Sequence, residues 1–230
     1  MISQPVQLDP LGSPHPVPWG WVASMLSEGQ SSATPRVRYY RSPSLVSPDG
    51  LYAAYSRMQM QLSTDFTRSR ITSILLLENL QTGDLQTILA CSPFADNPFS
   101  EASLSDWSGT IAMLVPVAWS ETGDRLLIRE FESLFGSSLA TDFAVIWERS
   151  SNTTHTVAPT QLNYTNAILL GWSQAHPDRA LFRAGIMGEE NWSLYTVDKS
   201  SKTVRAADDR PLTFGRVVNS VWAGPQSAGR

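Results

Sequence analysis

The stretch SLVSPDGLYAAYSR, residues 44–57, alternates in side-chain character on both sides of a Pro48-Asp49-Gly50 corner. Period-two alternation is the signature of a strand with two different faces. The corner suits a reversal: Pro presets φ, Asp bonds its own backbone, and Gly tolerates positive φ. The same arrangement recurs in PVAWSETGDRLLIRE (116–130) and LLGWSQAHPDRALFRA (169–184). Each copy has an apolar strand ending in serine, at Ser47, Ser120 and Ser173. A polar corner follows, then a strand carrying a basic residue, at Arg57, Arg129 and Arg183. NSVWAGPQ (219–226) reads as a fourth start, with Trp222 standing where Trp119 and Trp172 stand.

A second half repeats as well. SILLLENLQTGDLQTILA (73–90), FAVIWERSSNTTHTVAP (143–159) and WSLYTVDKSSKTVRAA (192–207) each read as strand, polar turn, strand. Each unit is therefore four antiparallel strands, and a repeating four-stranded unit of this length is a propeller blade. The unequal spacing of the units reflects long insertions in the first.

These units resemble the blades of TolB-like and WD40-like β-propellers. The residues that carry the likeness are SPDG (47–50), AAYSR (53–57) and ILLLENLQTG (74–83). The second and third units match less well, because Pro is lost at position 121 and Ser-Ser replaces Thr-Gly in the later corners. The whole chain also resembles a family of cyanobacterial proteins that share the RYYRS…SPDG…ENLQTGDLQT run. Neither resemblance implies an activity. The expected fold is all-β: an incomplete or small β-propeller-like array of about three to four blades, with a short N-terminal helix. PRVRYYR (35–41) and RVVNSVWAG (216–224) could pair to make a partial fourth blade. Otherwise the open edge strands must be capped, covered, or used for pairing with a partner or a second copy.

Ahead of the strands, residues 1–17 carry Pro at 5, 10, 14 and 16 and little periodicity, which reads as a disordered or loosely draped tail. Residues 18–35 read as an amphipathic helix and linker. Trp19, Val22, Met25 and Leu26 recur at helical spacing and Gly29 is a stop. Without a basic polar face, this helix is expected to plug an apolar surface of the body rather than lie on a membrane. Residues 36–230 form the expected β-domain.

Composition sets the bounds. The chain of 230 residues is 42% hydrophobic and 17% charged, enough for one sizeable core. Its net charge of −4, with no basic stripe, gives no driving force for phosphate-backbone binding, so no nucleic-acid partner is expected. One cysteine, Cys91, cannot form an internal disulfide, which points to a reducing, cytoplasmic setting. The N-terminal residues lack the basic and apolar regions of a secretory signal. The longest apolar run, IAMLVPVAW (111–119), is too short to span a bilayer, so a soluble protein is expected.

The chain offers little that resembles catalytic chemistry. FGSSLA (135–140) lacks the second Gly of a hydrolase elbow. His15, His155 and His176 lie far apart, with no metal-ligand spacing. There is no Gly-rich phosphate loop, and no cofactor is expected. Cys91 reads as a small half-buried side chain rather than a nucleophile. The acidic pairs Asp208 with Asp209, Glu189 with Glu190, and Glu130 with Glu132 read as solvated charge. The alternative of a carboxylate-based hydrolase or lyase at the propeller centre would instead need a deep pocket there holding two or more acidic groups of raised pKa. A small-ligand sensor would need a concave aromatic pocket, for which Trp119, Trp172 and Trp222 are the candidates.

The long loops are the remaining signal. In a propeller the connections following the second and fourth strands emerge on one face. CSPFADNPFSEASLSDWSGT (91–110) brings Phe94, Phe99 and Trp107. QLSTDFTRSR (61–70) brings Phe66, Arg68 and Arg70. The later loops add Phe135, Met187, Glu189 and Glu190, with Trp192 just after. Aromatic, Arg and Met side chains gathered on one face are the composition of a protein-interaction surface. The expected role is a non-catalytic module that binds another protein through that face or through an open sheet edge.

Overall fold

A computed structural model of the chain describes residues 9–29, 36–99 and 108–219. One helix, α1 (Trp19–Gly29), precedes the strands. The first repeat contains β1 (Arg36–Arg41), β2 (Ser44–Val46), β3 (Tyr52–Leu62), β4 (Arg70–Asn79) and β5 (Leu85–Ile88). The second contains β6 (Thr110–Trp119), β7 (Arg125–Leu134), β8 (Ala140–Glu148) and β9 (Thr153–Val157). The third contains β10 (Asn166–Ser173), β11 (Ala180–Gly185), β12 (Ser193–Val197) and β13 (Thr203–Arg205), followed by the short β14 (Pro211–Leu212) and β15 (Arg216–Val218).

Each repeat is an antiparallel four-strand meander: β2 to β5, β6 to β9, and β10 to β13. The first two join through a single parallel bridge, Ile71 to Ile111, and with β1 and β15 make a ten-stranded sheet, while the third with β14 makes a separate five-stranded sheet. Neither sheet closes into a barrel.

The serine corners work alike. Ser47 Oγ accepts from the Tyr52 N–H (3.0 Å) and donates to Asp49 (2.6 Å). Ser120 Oγ accepts from the Arg125 N–H (3.0 Å) and donates to Asp124 (2.6 Å). Gly50 and Gly123 close these corners at φ of 71° and 72°, a region that favours glycine. At the third corner Ser173 donates to Asp209, which is brought in from beyond β13. Burial raises Asp49, Asp124 and Asp209, but their hydrogen bonds outweigh it and hold each carboxyl below the usual range. Arg149 then ties the first corner to the second, pairing with Asp49 at 2.8 Å and donating to the Gly123 carbonyl.

Among the described residues, 36–41 and 216–219, the expected pairing of residues 35–41 with 216–224 is not formed. β1 instead pairs with the far half of β3, Arg36 opposite Leu62 through Arg41 opposite Arg57, while β15 pairs with β2. The cause is the length of β3. Its eleven residues outrun the three-residue β2 and leave an edge that β1 fills. The C-terminal segment crosses all three repeats. Leu212 pairs with Trp172, Phe214 bridges to Trp119, and Val217 pairs with Leu45. It thereby covers edges that would otherwise expose unpaired backbone groups. Trp222 lies outside the described residues.

Three buried clusters hold the structure. One lies between the second and third meanders around Leu127, Leu169, Trp172 and Phe182. Another lies between the first and second around Leu75, Leu114, Trp119 and Trp147. The third packs α1 through Val22, with Trp19, Met25 and Leu26, against Met58, Met60, Ile71 and Phe131. The helix thus plugs the apolar face of the long strands.

Residues 9–17, expected to be disordered or loosely draped, are tied to the strands by a buried ionic centre. Arg129 on β7 bonds Asp9 (2.6 Å), Asp142 on β8 (2.7 Å) and the His15 carbonyl (2.7 Å). Asp9 also accepts from the backbone N–H groups of Leu11, Ser13 and Val17. Asp142 also accepts from the Leu169 N–H on β10. Every charge in this centre has partners, the condition under which burying it is tolerable.

Candidate functional site

One end of the strands gathers the connections β3–β4, β7–β8 and β11–β12, together with residues 109 and 165. Asp65 accepts from the Thr67 backbone and hydroxyl, at 3.0 and 2.7 Å, which shapes the turn carrying Phe66 and Arg68. Gly109 donates to the Ser69 carbonyl (3.1 Å) and accepts from the Phe135 N–H (2.8 Å). Asn166 donates to the Ala140 carbonyl (2.7 Å), and Thr165 Oγ accepts from the Met187 N–H (2.7 Å). These bonds fix the backbones while leaving three apolar side chains in solvent: Phe66 at 47% exposure, Leu139 at 60% and Met187 at 49%. Arg68 is exposed beside Phe66. Leu139 was not anticipated; its signal is a lone large apolar residue among Ser137, Ser138, Ala140 and Thr141.

Of the other expected face residues, Glu189 shares the β11–β12 connection with Met187, and the described remainder lie elsewhere or point inward. Phe135 packs on the cluster beneath α1. Trp192 lies on Gly185, where any Cβ would come within 2.5 Å of the indole, and donates to the Ile186 carbonyl. Glu189 is exposed and, with Glu190, Arg183 and Trp192, lines a shallow cavity of about 400 Å³. Arg70 is buried and pairs with Asp96 at 2.7 Å. Phe94 is half-buried, and its N–H donates to Glu132 (2.8 Å). Phe99 stacks on Tyr39 with ring centres 6.2 Å apart, and the Arg57 guanidinium sits 5.4 Å from its centre. Trp107 lies outside the described residues. Segment 91–99 is thus tied to the first and second meanders by Phe94, Asp96 and Phe99.

The reading of Glu130 and Glu132 as solvated charge is corrected: both are buried. β7 is covered on both faces, so its alternation separates two buried environments rather than core from solvent. Arg129 and Phe131 face the N-terminal segment and α1. Glu130 and Glu132 occupy the opposite face, in register with Leu114 and Ala112. Burial pushes both carboxyls up. Glu130, also repelled by Glu132 and Asp142, lies well above the ordinary carboxylate range. Glu189 and Glu190 are exposed, and Asp209 serves the third corner.

Cys91, expected to be half-buried, is exposed, and its N–H donates to Thr156 Oγ (2.9 Å). His15 is half-buried with Nε2 3.0 Å from the Leu170 carbonyl, and desolvation lowers its pKa. Among the described residues no group of three or more His, Cys, Asp or Glu side chains is placed to hold a metal. No described helix is long and apolar enough to cross a membrane. No protein-family model matches the chain, and no curated protein matches it.

Proposed function

We propose that this chain is a non-catalytic protein-interaction module: a small, incomplete β-propeller-like scaffold of three blades that binds a partner protein at the loop end carrying Phe66, Leu139 and Met187. The observation that supports this reading is the exposure of these three apolar side chains on backbones held by hydrogen bonds. A loop whose backbone is already held adds little ordering cost on binding beyond that of its side chains, which favours it as an interface anchor. Arg68 adds a charge beside them, and the exposed Glu189 lies two residues from Met187. The four-stranded repeats, with a C-terminal segment crossing their first strands, support the propeller-like arrangement. The outer strands β9 and β13, each paired on one side only among the described residues, offer a second route to a partner or to another copy. The exposed, unpaired Cys91 fits a reducing, cytoplasmic setting.

The test is affinity capture with the full chain and with a Phe66→Ser, Leu139→Ser, Met187→Ser variant, both shown folded by circular dichroism. The reading expects one defined partner retained by the native chain and lost by the variant. Retention by both, or capture by neither, overturns it.

A further inference from the structure

Beneath residues 89–97 lies a cavity of about 280 Å³. Among the described residues its walls are Ser73, Leu89, Ala90, Ala95, Asp96, Asn97 and Glu130. Glu130 is 2% exposed, and its Oε2 is inaccessible and accepts no hydrogen bond. A buried carboxylate without a donor carries a large desolvation penalty, so Glu130 either holds its proton or awaits a partner.

The surroundings select that partner's chemistry. Asp96 is already paired with Arg70, and the Asn97 side-chain oxygen already accepts from the Phe99 N–H. Ser73 Oγ accepts from the Leu114 N–H at 2.6 Å. Among the described residues lining the cavity, the uncompensated acid is therefore Glu130, with Glu132 two residues along the same face of β7. An anion is repelled. A metal ion lacks its ligand set among the described residues. A cation carrying its own N–H donors meets the need of Glu130. Leu89, Ala90 and Ala95 supply an apolar wall for a short carbon chain. At about 30 Å³ per water-sized group, the space holds roughly nine such groups, enough for a short alkylamine.

We infer that this cavity binds a primary alkylammonium ion, with its –NH₃⁺ group on the Glu130 carboxylate and its carbon chain along Leu89, Ala90 and Ala95. Binding expels the proton of the Glu130 carboxyl to solvent and replaces it with three N–H donors. Affinity therefore rises with pH until Glu130 is ionised without help. Both a free amine and a partner's lysine side chain carry this chemistry.

The experiment is calorimetric titration of the full chain with n-butylammonium, 1,4-diaminobutane and Nα-acetyl-lysine methylamide, at about pH 6 and about pH 8. Expected are saturable binding, tighter at the higher pH, a loss of at least about tenfold in Glu130→Gln, and no change in Glu190→Gln. Tighter binding of the lysine amide identifies a side chain as the natural source; tighter binding of a simple amine identifies a free metabolite. Absence of saturable binding by about 10 mM, or binding indifferent to Glu130→Gln, overturns the inference. Carbon-13 spectra of the Glu carboxyls in the unsubstituted chain provide a reading that needs no variant. The Glu130 signal must move on adding the amine, and a stationary signal also overturns the inference.

Discussion

The indole N–H of Trp172 donates to the main-chain oxygen of Trp119 at 3.0 Å, and the indole of Trp119 donates to the oxygen of Leu45 at the same distance. Equivalent side chains of successive repeats thus each reach back to the first strand of the repeat before. Both indoles are buried, so each combines a large apolar contact with a satisfied donor. Trp119→Ala and Trp172→Ala are each expected to cost about 3–5 kcal/mol, the range of large aromatic truncations. Urea unfolding measures this, and a cost below about 1 kcal/mol would mean that the Trp does not join the repeats.

Arg129 should be the least replaceable charge in the chain. Arg129→Met leaves Asp9 and Asp142 buried without their cation, an expected loss of about 3–5 kcal/mol. Deleting residues 1–17 removes Asp9 and the His15 carbonyl and should also destabilise strongly. Chemical denaturation of both variants checks the ionic centre, and near-native stability in the deletion would show that the N-terminal segment holds nothing together.

Glu130 gives a pH signature with a definite sign. Its folded pKa is raised above the unfolded value, so its contribution is fully present below about pH 4.5 and is lost as pH rises through the folded value. Within that window one such group lowers stability by up to about 1.4 kcal/mol per pH unit. Glu130→Gln has no such proton. It should therefore melt close to the native chain near pH 5 and above it near pH 8. Parallel melting curves at the two pH values would show that Glu130 is solvated.

The loop-end residues should separate binding from stability. Phe66, Leu139 and Met187 are exposed, so changing them singly to Ser should alter unfolding free energy by no more than about 0.5 kcal/mol each. Phe135→Ser, whose ring packs under α1, should cost about 2 kcal/mol or more. Equal costs at Phe66 and Phe135 would contradict the division between exposed and inward side chains.

Local patterns carried the repeat a long way. Alternation around Ser47, Ser120 and Ser173 marked the four-stranded units, because strand period and turn chemistry act over a few residues. The helical spacing of Trp19, Val22, Met25 and Leu26 marked α1 and its buried face for the same reason. What alternation cannot reveal is what lies against each face. Arg57, Arg129 and Arg183 stand at equivalent places in the repeats, yet Arg57 lies over Phe99 at the surface, Arg129 is buried between two carboxylates, and Arg183 lines an open cavity. Glu130 and Glu132 read as surface charge, because alternating polar residues normally mark a solvent face. On β7 both faces are covered, by α1 and the N-terminal segment on one side and by the first repeat on the other. The crossing by residues 211–218 was equally hidden, because its pairings reach back to each repeat in turn, Leu212 to Trp172, Phe214 to Trp119 and Val217 to Leu45, far beyond the few residues over which strand and turn patterns act. The sequence by itself determined the repeating strands, the corners and the helix, since each is decided by neighbours along the chain. Only the tertiary structure decided which charges are buried, which aromatics remain exposed and where Glu130 meets a cavity, since these depend on segments that the chain brings together from far apart.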